Sequence, residues 1–236
     1  MIDRLHSSLL RRLGAPERAW LADALRRVRD DPSTIFVLFP AAGRGVGRGS
    51  LDGSDKPDEH ALTVDDAARV LLLDAIGDAA TVHVGPLYHH GDAAERRAVL
   101  RALAIVDVRA CGVPLVEDAL RTNDPRLIAA ALGPYAFRRL PAAAIEHAVL
   151  KCVFMDIPLS GLDGLDDRVT PDLSRMLAAY AHERIAAGRS VPPEVWGVID
   201  RHPPSHELTA IDKELRHDDP ARRRAAQEAL ADRAAS

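Results

Sequence analysis

Alanine is the feature that most limits what this chain can fold into, since it supplies 40 of the 236 residues. Alanine has the highest helix propensity of the common residues, and proline or glycine interrupts the alanine-rich stretches at short intervals. Hydrophobic residues make up 47% of the chain and charged residues 28%, as in folded globular proteins. The sequence therefore predicts an all-α protein built from short helices.

Local signals place several of these helices. Thr63 followed by Asp66 predicts a helix start of the capping-box type, and Asp92 and Pro171 are typical of two further starts. The apolar run from Ile35 to Phe39 fits either a buried strand or a buried helix. We favour a helix because no partner strand is evident nearby. The longest irregular segment is predicted over residues 43–59.

Two similar segments suggest an internal repeat. Residues 123–132 read NDPRLIAAAL and residues 218–230 read DDPARRRAAQEAL, so each places Asp-Pro before small apolar residues. This resembles HEAT-type repeats, in which helices pack in short antiparallel pairs. We therefore expect solenoid-like packing, with one helical domain over residues 1–205 and a helical segment over 206–236 packed on it.

Charge and cysteine content exclude several classes of protein. The net charge is −4 and aromatic residues are 4%, so we expect no nucleic-acid partner. The basic run of Arg216 and Arg222 to Arg224 is interpreted as a solvated helix face. No stretch approaches 18 consecutive apolar residues and the N-terminal residues do not resemble a secretory signal, so we expect no membrane insertion. Two cysteines, Cys111 and Cys152, favour a cytoplasmic location and are predicted to be small buried hydrophobic residues.

No complete catalytic or metal-binding motif is present. The histidine spacings fit no zinc site, and we expect neither a metal nor another cofactor. The segment GRGVGRG lacks the Lys-Ser/Thr pair of a phosphate loop and the third glycine of a dinucleotide fingerprint. Its Arg44 and Arg48 are either anion-binding candidates or part of a flexible surface linker.

Two helices carry the strongest candidate residues. Between Pro141 and Met155 the chain is apolar nearly all round, so His147 and Lys151 are polar groups on a largely apolar helix. Between Pro171 and Gly188 the stripe that includes Tyr180 continues to Arg184, with Glu183 at its edge and His182 pointing away. An inward Arg184 needs a carboxylate or backbone carbonyl groups, and Asp166 or Asp167 would supply the carboxylate in a structural role.

Several segments in the same region resemble one protein family. They are VLKCVF (149–154), GLDDR (164–168), PDLSRML (171–177), YAHERIAAGR (180–189) and PEVW (193–196). These residues are similar to the EboA-domain family, although Ile185 stands where that family usually has an aromatic residue. The resemblance implies a helical fold and a role in a gene cluster that moves or finishes secondary-metabolite precursors. It implies no specific reaction.

Two hypotheses follow. The first is a binding or scaffold protein of that pathway, which contacts proteins of the same gene cluster or an anionic small molecule. The alternative is an enzyme that acts on a phosphorylated sugar, cyclitol or prenyl-type metabolite, with Lys151 and Arg184 holding the anion. The candidate ligand-binding residues are Lys151, Asp166, Arg168, Tyr180, Glu183, Arg184 and His147.

Overall fold

The computed structural model describes residues 1–53 and 62–235. This part of the chain contains fourteen α-helices and no β-strand, apart from one isolated bridge between Ser50 and Thr63. The predicted all-α fold is confirmed. The backbone contacts divide the chain into two compact units, Met1–Arg139 and Leu140–Ser236. The sequence-based boundary at residue 206 lies elsewhere and stays a prediction.

The first unit contains nine helices among its described residues. They are α1 (Ile2–Arg12), α2 (Ala15–Asp30), α3 (Ile35–Gly45), α4 (Val64–Ala75), α5 (Ala80–His90), α6 (Ala93–Ala102), α7 (Val113–Arg121), α8 (Pro125–Ala131) and α9 (Pro134–Arg139). Helix α4 packs against α1, α2, α3 and α6, and its residues 64–73 are all buried. It begins at the predicted capping box of Thr63 and Asp66, which is confirmed.

Helix α3 confirms the helical interpretation of the run from Ile35 to Phe39. The helix continues to Gly45, so the prediction that the irregular segment starts at residue 43 is wrong. Gly45 lies at the end of α3 against the Trp20 ring, which occupies the space that a β-carbon would need there. Residues 54–59 of that predicted segment lie outside the described residues.

The second unit contains five helices in its described part: α10 (Ala142–Phe154), α11 (Pro171–Ala186), α12 (Glu194–Ile199), α13 (Ser205–Glu214) and α14 (Pro220–Ala235). Helix α11 is central, since α10, α12, α13 and α14 all pack against it. Two residues after its end lies Gly188, whose positive φ of 66° is most favourable for glycine. HEAT-like stacking of these helices remains a prediction.

The helices within the described residues are short relative to the thickness of a bilayer. None of them alone has the length and apolar character needed to span one. The segments Val64–Ala75 and Gly77–His90 reach the required length and apolar character only when taken together. The chain bends by 111° at the break between them.

Candidate functional site

The second unit contains an open groove of about 470 Å³. One wall is the irregular segment from Leu159 to Asp166, and the other is the face of α12 that carries Glu194, Gly197 and Val198 and continues to Arg201. A groove of this size falls within the range of small-molecule sites. Part of this wall belongs to the segment GLDDR, whose Asp166 was a candidate ligand-binding residue.

Carboxylates outnumber cationic groups in the groove. Asp163, Asp166 and Glu194 face a single guanidinium, that of Arg201. Nη2 of Arg201 lies 3.1 Å from a carboxylate oxygen of Asp166, and the backbone N–H of Ser160 donates to Glu194 over 3.4 Å. The groove can therefore accept hydrogen bonds from hydroxyl or ammonium groups at Asp163, which makes no hydrogen bond within the described part of the chain.

Gly197 opens the centre of the α12 wall. No atom lies within 4 Å of the position that its β-carbon would occupy, apart from its own neighbours along the chain and helix. Glu194, Gly197 and Arg201 were not among the residues predicted to form the site. Their spacing of three, then four, residues follows the helical repeat along α12 and just beyond its end. This spacing is the signal that would have grouped them.

Three residues of α10 and α11 form a stacked cluster away from this groove wall. The Phe154 and Tyr180 rings meet edge to face with their centroids 5.0 Å apart. The Arg184 guanidinium lies 5.9 Å from the centre of the Tyr180 ring. The structure thus brings together Tyr180 and Arg184, which were candidates, and adds Phe154, which is exposed.

The other candidates on these two helices are more scattered. His147 is exposed and its Nδ1 lies 2.6 Å from the carbonyl oxygen of Ala143, one turn earlier. Lys151 is half-buried on the same helix, and Glu183 is exposed on α11. None of the three lines the groove. Their proposed roles in ligand binding stay predictions.

Of the two partners predicted for Arg184, a carboxylate of Asp166 or Asp167 or a backbone carbonyl, the structure shows the carbonyl. Asp166 contacts Arg201, whereas Nε of Arg184 donates to the carbonyl oxygen of Ser190 over 2.6 Å. The cause is the position of Arg184 in the last turn of α11, where carbonyl groups beyond the helix end are within its reach. Arg168 behaves similarly and donates to the carbonyl oxygen of Leu140 over 3.1 Å.

His182 does not point away from the protein, as the periodicity of α11 suggested. Its Nε2 lies 3.1 Å from Oε1 of Glu214, a buried residue of α13. Arg222 of α14 donates two hydrogen bonds to the same carboxylate, over 2.7 and 2.5 Å. The prediction failed because α13 and α14 cover this side of α11. The partly exposed Arg222 is accordingly paired with a buried carboxylate and is not part of a solvated basic face.

The first unit contains a charged network around Asp65 and Asp66. Asp66 was predicted from the sequence only as a helix-capping residue. Asp66 is fully buried, and Arg97 and Arg101 of α6 approach its carboxylate oxygens to 3.2 and 2.6 Å. The neighbouring Asp65 pairs with the buried Arg69 over 2.6 Å. Each charge of the network thus has an opposite charge beside it, as buried charges require, although Nε of Arg97 has no hydrogen-bond partner in the described part of the chain.

The two loop arginines, Arg44 and Arg48, lie near the end of α3. Arg44 is exposed in the last turn of α3, and Arg48 is exposed beyond it. Nε of Arg48 lies 3.0 Å from the position of an added β-carbon on Gly43. Their role in binding an anion stays a prediction. Across residues 1–53 and 62–235, no three His, Cys, Asp or Glu side chains are placed to share a metal ion.

The two cysteines differ, and this gives a direct chemical test. Cys111 is exposed, so the prediction that both are buried is wrong for it. Cys152 is buried, and burial raises the pKa of its thiol to about 12. Since the thiolate is the reactive form, iodoacetamide at about pH 8 is expected to modify Cys111 alone in the folded protein.

Intact-mass spectrometry measures this result as one adduct per chain, rising to two in denaturant. The Cys111→Ser variant is the control and should take up no label while folded. Rapid labelling of that folded variant would show that Cys152 is accessible.

The chain is similar to one known protein family. The model of a family described as "Metabolite traffic protein EboA" matches residues 1–200, which include all residues of the groove except Arg201. No curated protein and no solved structure gives a significant match. Helices α13 and α14 lie outside the matched residues. Because the match covers most of the 236 residues, the chain belongs to the EboA family.

Proposed function

We propose that this protein is a binding component of a metabolite-trafficking pathway and that its ligand occupies the groove between residues 159–166 and α12. The observation that carries the proposal is the groove itself. It is open, has the volume of a small-molecule site, and presents fixed hydrogen-bonding groups on both walls. The residues that line it include no histidine or cysteine, so they offer no Ser-His or Cys-His pair for nucleophilic catalysis.

The charge of the groove favours one ligand class. Three carboxylates accept hydrogen bonds and only Arg201 donates with a charge, so a neutral polyhydroxylated or ammonium-bearing metabolite is complementary. A phosphate group in the groove would meet net negative charge. The anionic ligand predicted from the sequence would instead need Lys151 and Arg184, neither of which lines these walls.

The finer parts of the proposal concern the cellular role. We place the protein in the cytoplasm, in the processing or export of secondary-metabolite precursors. There it would hold a precursor or a partner enzyme of the same gene cluster. The family description of metabolite traffic supports this role. The enzyme alternative predicts that a bound sugar, cyclitol or prenyl-type compound is converted, which product analysis after incubation would reveal.

The groove is tested by filling it. In Gly197→Leu the new side chain enters open space on an exposed part of α12, so we expect the fold to persist. The matched control is Gly85→Leu in α5, where no atom lies within 4 Å of the added β-carbon either. Both variants replace a helical glycine, but only the first lies on the groove wall.

The measurement is a thermal-shift screen with uncharged cyclitols and sugars, their amino derivatives and their phosphates, followed by calorimetric titration. A groove ligand is expected to raise the melting temperature of the natural protein and of Gly85→Leu. Gly197→Leu should weaken its affinity by at least about tenfold. Asp163→Asn should also weaken it, whereas Asp167→Asn, outside the groove, should not. Equal affinity for Gly197→Leu and the natural protein would exclude the groove as the site.

A further inference from the structure

Phe154 is an unusually exposed aromatic residue that is nevertheless held in place. It ends α10 with 61% of its surface exposed. Its ring packs edge to face on Tyr180 with a centroid separation of 5.0 Å, and Tyr180 itself is only 4% exposed. Edge-to-face contacts of this kind are favourable, so the Phe154 ring is oriented before any partner arrives.

Arg184 is the second oriented group beside Tyr180. Its Nε donates to the carbonyl oxygen of Ser190, and its guanidinium lies 5.9 Å from the Tyr180 ring centre. Within residues 1–53 and 62–235, no carboxylate oxygen lies within 4 Å of this guanidinium. Its four terminal N–H groups therefore remain suited to a bidentate carboxylate from outside the chain.

The charges around Arg184 leave a positive balance. Arg189, whose backbone N–H donates to the carbonyl oxygen of Arg184, is exposed and forms no ion pair within the described residues. Glu183 is also exposed and contributes one negative charge. Two guanidinium groups and one carboxylate thus mark this end of α11, which favours an acidic partner over a basic one.

Tyr180 supplies an independent sign that the cluster is incomplete. Its hydroxyl group is buried and has no hydrogen-bond partner in the part of the chain that the structure describes. A buried hydroxyl without a partner costs free energy, so its presence in a folded protein calls for an explanation. Here it belongs to the ring that supports both Phe154 and Arg184.

We propose that Phe154, Tyr180 and Arg184 form a docking site for an acidic, amphipathic segment of a partner protein. An apolar side chain of that segment would cover Phe154, and an Asp or Glu would pair with Arg184. Exposed aromatic and arginine side chains with fixed orientations are typical centres of protein–protein interfaces. The site is separate from the groove, because none of the three residues lines it.

The test is a selection of short random peptides displayed on phage against the full-length protein. We expect enrichment of peptides that combine Asp or Glu with Leu, Phe or Trp. An enriched peptide is then synthesised and its affinity measured by fluorescence anisotropy. Phe154→Ala and Arg184→Ala are each expected to weaken binding by at least about tenfold. The control Arg175→Ala removes an exposed arginine of the same helix that already pairs with Asp172.

Gly197→Leu separates this proposal from the proposed function, since it should leave peptide binding unchanged. The proposal is overturned if no acidic sequences are enriched, or if Phe154→Ala and Arg184→Ala bind the peptide as the natural protein does. It is also overturned if dodecyl phosphate binds and loses affinity in both variants while no peptide binds, because the cluster would then be a site for an anionic amphiphile.

Discussion

Replacing Asp66 with alanine is expected to lower the free energy of unfolding by about 3–5 kcal/mol, because it leaves two partly buried guanidinium groups without their carboxylate. Asp66 is fully buried at the start of α4, and Arg97 and Arg101 lie 3.2 and 2.6 Å from its oxygens. Its side chain also accepts from the backbone N–H of Thr63, so the capping box is lost as well.

Urea denaturation followed by circular dichroism measures this loss. Asp66→Asn keeps the shape of the side chain but removes its charge, so it isolates the electrostatic part of the effect. The control is Asp23→Ala, which breaks ion pairs between exposed residues of α2 and should cost at most about 1 kcal/mol. If Asp66→Ala were no more harmful than Asp23→Ala, the network would not stabilise the first unit.

Hydrogen exchange locates the effect. Arg97 and Arg101 belong to α6 and Asp66 to α4, and these two helices pack directly against each other. Amide protons of both helices should therefore exchange faster in Asp66→Ala than in Asp23→Ala. Unchanged protection of α6 would contradict the idea that the ion pairs join these helices.

The helices could be predicted from local chemistry because their signals act over a few residues. The capping residues Thr63 and Asp92 accept hydrogen bonds from backbone N–H groups three residues later, and neither contact needs tertiary structure. The end of α3 could not be predicted in this way. Gly43 and Gly45 are typical of a loop, yet both belong to α3, and Gly45 lies against the Trp20 ring of α2, a contact between residues that are distant in sequence.

The candidate site was harder to predict for the same reason. The groove combines an irregular segment with a helix that begins at Glu194, and no periodicity connects the two. Tyr180 and Arg184 were found because they share one helix face. The partner of His182 was not predicted because it lies on α13. Helices α13 and α14 pack against a second side of α11, and the sequence of α11 alone does not show this.

Glu214→Gln is expected to destabilise the second unit by about 2–3 kcal/mol at pH 7, because it removes the carboxylate charge that pairs with Arg222. Glu214 is buried, while its partners Arg222 and His182 are partly exposed, so water compensates some of the loss. Trp196 reports the unfolding of this unit, and in a Trp20→Phe background it is the only tryptophan of the chain. Asp212→Asn, an exposed change on α13, is the matched control.

The effect of Glu214→Gln should also depend on pH. The two hydrogen bonds from Arg222 hold the pKa of Glu214 below its ordinary value of 4.5, against the opposing effect of burial. A carboxyl group with a lowered pKa stabilises the folded state fully above its unfolded pKa, and this contribution disappears as the pH falls through the folded pKa. The stability difference between the natural protein and Glu214→Gln is therefore expected to be constant from about pH 7 to pH 5 and to shrink steadily below about pH 4. A difference that persisted unchanged into strong acid would show that lost packing, and not the lost charge, is what the substitution measures.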